Sequence, residues 1–104
     1  MNNLSKPKAG GLFIAQLYGG QYFGKRIVVV IDTAPGLVTV LPIRTSNLHR
    51  SCRTSLIIPQ SQSAVGRKLS VDCGTMITLR RDALLRQVGT MSDADILQIK
   101  EKTQ

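Results

Sequence analysis

The chain has 104 residues, which is enough for one domain and too few for two. Lysine and arginine total 14 against 6 acidic residues, so the formal net charge of +8 favours a polyanionic partner, above all RNA. Two cysteines and one histidine make a disulfide framework or a zinc site improbable, and no apolar run approaches the roughly 20 residues of a membrane span. We therefore expect a cytoplasmic protein without a metal, a cofactor or a membrane partner.

The N-terminal part of the sequence divides into a polar leader, a strand and a loop. Residues 1–10 are polar and contain the helix and strand breakers Pro7 and Gly10, so we expect a flexible leader before a single domain at 11–104. Gly11–Leu17 is predicted as the first strand. Tyr18–Lys25 is rich in glycine and is predicted as a loop.

A continuous β-branched run follows this loop. Arg26–Asp32 has the pattern of a strand that is buried on both faces. The turn residues at positions 34–36 (Ala-Pro-Gly) connect it to a second apolar run, Leu37–Ile43. The two runs are therefore expected to form a β-hairpin.

The second half of the sequence alternates polar loops with short apolar runs. Residues 44–54 and 60–68 are polar and basic, and residues 80–85 are expected to form one helical turn. Four further short strands are predicted, at Ser55–Pro59, Leu69–Cys73, Thr75–Leu79 and Arg86–Thr90.

One helix is predicted, at the C-terminus. Ser92 and Asp95 have the spacing of a capping box, so the helix should begin near Asp93. Its apolar face is expected to contain Ile96, Leu97 and Ile99 and to pack against the sheet. The elements together predict a mainly β fold, a bent sheet or small barrel with a C-terminal helix.

The candidate catalytic residues are an arginine and hydroxyl groups, because the common hydrolase motifs are absent. Arg26 opens the second predicted strand, and Thr45 and Ser46 follow the end of the third. In an antiparallel hairpin these positions meet at one edge of the sheet. An arginine beside a hydroxyl suits cleavage of RNA through its own 2′-OH, which requires no metal. The alternative is a solvated charge beside ordinary turn residues.

Two further titratable residues have both a functional and an ordinary interpretation. Asp72 ends a predicted strand, where its carboxylate could orient an arginine, receive a proton or cap the following turn. His49 could act in acid–base catalysis or bind RNA, although a lone loop histidine is more often exposed and idle.

Aromatic and basic residues in the predicted loops indicate contacts with single-stranded RNA. Tyr18 and Tyr22 are expected to stack on bases, whereas Phe23 is expected to anchor its loop to the core. Cations that can follow the phosphate backbone are Lys25, Arg44, Arg50, Arg53, Arg67 and Lys68.

Several short segments also occur in a recognisable order along the chain. They are GKRIVVVI, in which an arginine opens an apolar strand, then VLPIRTS, SLIIP, LSVD and VGTMS, followed by the terminal segment DADILQIKEK. This order resembles the MazF/PemK family of toxin-antitoxin toxins, and the resemblance extends over nearly all of the chain after Gly10.

The resemblance implies a small SH3-like barrel of the MazF, PemK and CcdB type. It further implies a homodimeric toxin of a type II toxin-antitoxin system, an endoribonuclease that cuts single-stranded RNA without metal and is inhibited by a cognate antitoxin. Arg26 matches the family's catalytic arginine, Thr45 or Ser46 its hydroxyl, and Asp72 its strand-end acid.

The sequence departs from the family pattern at several of these segments. Arg44 stands between the Pro-Ile and Thr-Ser steps, Ile27 stands where the family usually has proline, and Cys73-Gly74-Thr75 replaces a segment that often contains glutamine and arginine. Two other interpretations therefore stay open: a non-catalytic toxin of the same barrel class that inhibits a protein such as DNA gyrase, and a plain RNA-binding module.

Overall fold

A computed structural model describes residues 7–19, 22–44, 55–58 and 69–103 of the chain, without the side chains of residues 19, 22, 44, 55–58 and 69. Within these ranges an antiparallel sheet precedes a C-terminal helix, α1 (Asp93–Thr103). The strands are β1 (Gly11–Gly19), β2 (Tyr22–Ala34), β3 (Leu37–Arg44), β4 (Ser55–Ile58), β5 (Leu69–Asp72), β6 (Ile77–Arg80) and β7 (Leu84–Thr90).

The sheet branches at β3, which pairs with a different strand toward each of its ends. The described strands follow the order β4-β5-β3-β2-β1-β7, and β6 pairs with β3 outside this path. Leu37–Val40 of β3 pair with β6, while Ile43 and Arg44 pair with β5. The predicted mainly β, barrel-like fold with a C-terminal helix is confirmed.

β2 lies between two hydrophobic cores and contributes alternate residues to each. Val29 belongs to the first core, whereas Val28 and Val30 belong to the second, and all three are fully buried. The expectation of a strand buried on both faces is confirmed. Leu12, Leu41, Ile43, Val71, Cys73, Met91 and Ile99 complete the first core, and Ala15, Leu17, Val38 and Val40 complete the second.

The glycine-rich segment after the first strand differs from its prediction. It was expected to be a loop, but β1 continues to Gly19 and β2 already begins at Tyr22, with Tyr18 paired to Phe23 across the hairpin. Aromatic residues favour strands, and Gly24 adopts a φ of 99° that other residues rarely adopt. Arg26 consequently lies inside β2 rather than at its beginning.

Helix α1 begins where the capping signal predicts. The Ser92 hydroxyl accepts a hydrogen bond from the Asp95 backbone N–H at 3.2 Å, which satisfies one free donor of the first turn. Ile99 is 1% exposed in the first core, but Leu97 is 60% exposed, so its assignment to the packed face was wrong. No helix in the described ranges is long and apolar enough to cross a membrane.

The first prediction concerns the attachment of α1 to the sheet. Ile99→Ala removes a buried side chain from the first core and should lower the free energy of unfolding by about 2–5 kcal/mol. Leu97→Ala removes an exposed side chain of the same size and should change it by less than about 0.5 kcal/mol. Urea unfolding of both variants tests the docking of α1, and equal losses would contradict it.

Cys73 is a free thiol enclosed in the first core. Burial raises the pKa of the Cys73 thiol above its ordinary value of 9.0; Lys102 opposes this shift, and Asp72 reinforces it. The folded protein thus favours the neutral thiol. The stability that the neutral Cys73 thiol contributes is complete below the pKa of this thiol in the unfolded chain. It is lost as pH rises through the pKa of the thiol in the folded protein.

We therefore expect Cys73 to react slowly with iodoacetamide at neutral pH in the folded protein and rapidly after unfolding in guanidinium, since the thiolate is the reactive form. Peptide mass spectrometry separates Cys73 from Cys52. Unfolding free energies should also decline at alkaline pH, and less so in Cys73→Ala. Labelling of the folded protein at the unfolded rate would contradict the enclosed thiol.

Candidate RNA-cleavage site

Arg26 is an exposed cation on β2, where it pairs with Ala15 of β1. Side chains alternate along a strand, so Arg26 lies on the same face of β2 as Val28 and Val30. Those valines are buried in the second core. Arg26 continues their row beyond the core into solvent, and we call this side of the sheet the Arg26 face.

The end of β3 lies beside Arg26. Val28 pairs with Pro42 in the β2–β3 register, and continuing this register by two residues places Arg26 opposite Arg44. Arg44 itself pairs with Ser70 of β5. The three strands therefore direct the end of β3, from which the chain continues toward Thr45, to the part of β2 that contains Arg26.

Asp72 shares the Arg26 face. Ile43 pairs with Val71, so the next position of β5, Asp72, lies beside Pro42, which in turn pairs with Val28. In a flat sheet the Cα atoms of Arg26 and Asp72 would be roughly 12 Å apart, given strand spacings near 4.8 Å and a rise near 3.3 Å per residue.

The carboxylate of Asp72 also holds the turn that follows β5. Its Oδ1 accepts a hydrogen bond from the Gly74 backbone N–H at 3.1 Å, and its Oδ2 accepts one from the Thr75 hydroxyl at 2.9 Å. These contacts match the turn-capping interpretation of Asp72. They also fix the orientation of the carboxylate, as any role in positioning a substrate would require.

Several predicted site residues lie outside the described residues. These are Thr45, Ser46, His49, Arg50, Arg53, Arg67 and Lys68. Tyr22 and Arg44 are described as strand positions only. Leu69, which follows Lys68, pairs with Ile58 next to the Ser70–Arg44 pair. Segment 45–54 begins after Arg44, and segment 59–68 connects Ile58 to Leu69. These three positions are neighbours in the described strands.

Tyr18 and Lys25 lie on the side of β1 and β2 opposite to Arg26. Gln16 pairs with Lys25, and Tyr18 pairs with Phe23, in the row that continues into the first core. We call this side the Phe23 face. Phe23 is 65% exposed on it, so the expectation that this ring anchors a loop to the core was wrong.

The charged residues of β1, of the first part of β2 and of β7 are all positive. Residues 11–31 and 84–90 include no aspartate or glutamate, whereas they contribute Lys25, Arg26 and Arg86, all exposed. Within the described ranges no group of three or more histidine, cysteine, aspartate or glutamate side chains could hold a metal ion. Arg86 was not among the predicted site residues; the signal for it is the recurrence of this acid-free, basic pattern in β7.

Structural comparison identifies several similar proteins. The toxin MazF-mt6 of Mycobacterium tuberculosis is 22% identical, with a TM-score of 0.71 over 89% of this chain and 91% of that one. A mycobacterial endoribonuclease in complex with its cognate antitoxin is 16% identical, with a TM-score of 0.76 and coverages of 94% and 91%. MazF from Deinococcus radiodurans is 18% identical, with a TM-score of 0.76 and coverages of 93% and 92%. These likenesses establish a MazF-like fold.

Sequence comparison identifies a protein family but no individual curated relative. Curated proteins yielded no significant match to the chain. One family model, that of the PemK-like, MazF-like toxins of type II toxin-antitoxin systems, matches residues 8–104. A match of this extent includes every strand described above as well as α1. The resemblance seen in the order of the short segments is therefore confirmed, and the chain belongs to the PemK-like, MazF-like toxin family.

Proposed function

We propose that the protein is an endoribonuclease toxin that cleaves single-stranded RNA, chiefly mRNA, at a short sequence and without a metal ion. Membership of a toxin family and the fold shared with a mycobacterial endoribonuclease support this proposal. The observation that carries it is the placement of exposed Arg26 beside the end of β3, on the face that also contains Asp72.

The proposed reaction uses the RNA as its own nucleophile. The 2′-oxygen forms a bond to phosphorus while its proton passes to a base, the P–O5′ bond breaks, and the departing 5′-oxygen takes up a proton. The products are a 2′,3′-cyclic phosphate and a 5′-OH. Negative charge increases on the non-bridging oxygens in the transition state, so a fixed cation beside them lowers the barrier.

Each candidate residue has a distinct role in this reaction. Arg26 donates hydrogen bonds to the non-bridging oxygens, because a guanidinium matches the geometry of a phosphate. The hydroxyl of Thr45, or that of Ser46, holds one of these oxygens. Asp72 orients the arginine or accepts the proton from the 2′-OH.

The remaining predicted residues would bind the RNA on either side of the scissile phosphate. Aromatic rings stack on unpaired bases, and cations follow the backbone, with an affinity that decreases as salt concentration rises. This set contains Tyr18, Tyr22, Lys25, Arg44, His49, Arg50, Arg53, Arg67 and Lys68.

We further infer that a cognate antitoxin inhibits this site and that the toxin is a cytoplasmic homodimer. A structural relative is described in complex with its cognate antitoxin. The net charge of +8 favours an acidic, partly disordered antitoxin segment that occupies the RNA groove. A cytoplasmic location gives the toxin access to cellular mRNA. Analytical ultracentrifugation tests whether the protein is a homodimer.

Arg26→Ala should reduce the rate of RNA cleavage about 10²–10³-fold, because this donor acts mainly in the transition state. The RNA affinity should fall much less, since the other cations still contact the backbone. The measurement is single-turnover cleavage of an RNA that the wild-type protein cuts, in the presence of EDTA, with identification of the 2′,3′-cyclic phosphate.

Arg80→Ala is the matched control. Arg80 is also an exposed arginine, but it forms a surface ion pair with Asp82 at 3.1 Å and lies on β6, on the side of the sheet opposite to the Arg26 face. Its removal should leave the cleavage rate unchanged. Wild-type rates in Arg26→Ala would exclude the proposed site, and a wild-type protein that cuts no RNA would favour the non-catalytic, protein-inhibiting alternative.

The antitoxin and RNA should compete for one site. Adding cognate antitoxin to a complex with fluorescent, non-cleavable 2′-O-methyl RNA should displace the RNA completely, as measured by anisotropy. Polyglutamate of the same charge should displace it only at much higher concentration, because it lacks the fitted contacts. A ternary complex in which both ligands retain full affinity would rule out the shared site.

A further inference from the structure

The tip of the β1–β2 hairpin exposes two aromatic rings that contact each other. Tyr18 is 78% exposed and Phe23 is 65% exposed. Their ring centroids are 6.5 Å apart and the ring planes are nearly perpendicular, at 85°. An edge-to-face pair is a favourable arrangement, so each ring limits the freedom of the other while its outer surface stays accessible.

Two cations share the Phe23 face with this aromatic pair, one near the rings and the other about 13 Å further along the sheet. Lys25 is two residues from Phe23 on the same face of β2. Arg86 of β7 pairs with Ile14, which shares its face of β1 with Tyr18. Directly paired residues point to the same side of an antiparallel sheet, so both cations lie on the same face as the rings.

We propose that Tyr18, Phe23, Lys25 and Arg86, here called the aromatic platform, bind a base of single-stranded RNA and its flanking phosphates away from the scissile bond. This inference rests on the proposed function and extends it with Phe23 and Arg86, which have no assigned role there. The two rings supply the stacking surface, and the two cations contact the phosphates.

The composition of the aromatic platform favours RNA over a protein partner. Protein interfaces have an apolar centre from which lysine is depleted, whereas here Lys25 lies on the same face as the rings, two residues from Phe23. A nucleotide combines a flat apolar unit with an anionic linker and so matches both features. Residues 11–31 and 84–90 contain no carboxylate, so these two segments carry no negative charge that would repel the phosphates.

The position of the aromatic platform determines its expected effect on the reaction. Phe23 and Arg26 lie on opposite faces of β2, about 10 Å apart along the strand. A single RNA strand that touches both must turn around the hairpin. Stacking at Phe23 should therefore strengthen the binding of long substrates and contribute little to the chemical step or to the binding of short ones.

The absence of tryptophan from the chain provides a direct test of stacking. Phe23→Trp places a single indole on the aromatic platform, and its fluorescence should be quenched by a long 2′-O-methyl RNA and much less by a short one. Leu97→Trp places an equally isolated indole on the exposed side of α1 and should not respond. Tyr18→Trp repeats the measurement from the other ring.

Kinetics should separate binding from chemistry. Loss of one stacked base corresponds to roughly a tenfold or greater increase in KM for a long RNA in Phe23→Ala, with kcat changed far less. Phe23→Trp should restore KM because the indole also stacks, whereas Phe23→Leu should not. A Phe23→Ala variant with unchanged KM for long RNA would overturn the proposal.

The outcomes also distinguish this proposal from the proposed function. Quenching without cleavage by wild-type protein would support the aromatic platform and overturn the nuclease, whereas cleavage without quenching would do the reverse. Quenching by cognate antitoxin alone would assign the surface to that protein. A signal that depends only on protein concentration would assign it to a second copy of the chain, and either result would overturn RNA stacking.

Discussion

The alternation of side chains along β2 is the constraint on which the rest of the structure depends. Val28, Val29 and Val30 are fully buried, and they contribute to two different cores on the two sides of one strand. Because side chains alternate along a strand, a slip of one residue would exchange the residues that β2 contributes to the two cores. Full burial of a valine stabilises the fold by about 1.5–3 kcal/mol, so the native register is strongly favoured. The register of β2 against β1 and β3 is thereby set.

The same register determines on which face each exposed residue at the N-terminal end of β2 lies. Beyond the buried valines, alternate positions become exposed on opposite faces, Arg26 on one and Lys25 and Phe23 on the other. The pairing of β3 with β5 then brings Asp72 to the Arg26 face. The candidate catalytic residue Arg26 and the candidate base-binding residue Phe23 are therefore only three residues apart in the sequence, but they lie on opposite faces of β2.

The sequence correctly predicted the elements that depend on residues close to one another along the chain. The Ser92 cap located the start of α1, and the turn around Pro35 located the β2–β3 hairpin. The segment around Gly24 was misread because its glycines indicate a loop, while its aromatic pair acts only across strands. The approach of Asp72 to Arg26 depends on the β3–β5 register, which no local pattern encodes.

Gly10 connects the first strand to the last elements of the fold. Its N–H donates to the Val30 carbonyl and its carbonyl accepts from the Met91 N–H, while a Cβ at this position would collide with Ile96. During synthesis, β1 leaves the ribosome long before β7 and α1 are available to it. The sheet therefore cannot be completed on a partial chain, and prematurely terminated translation products would lack the assembled fold.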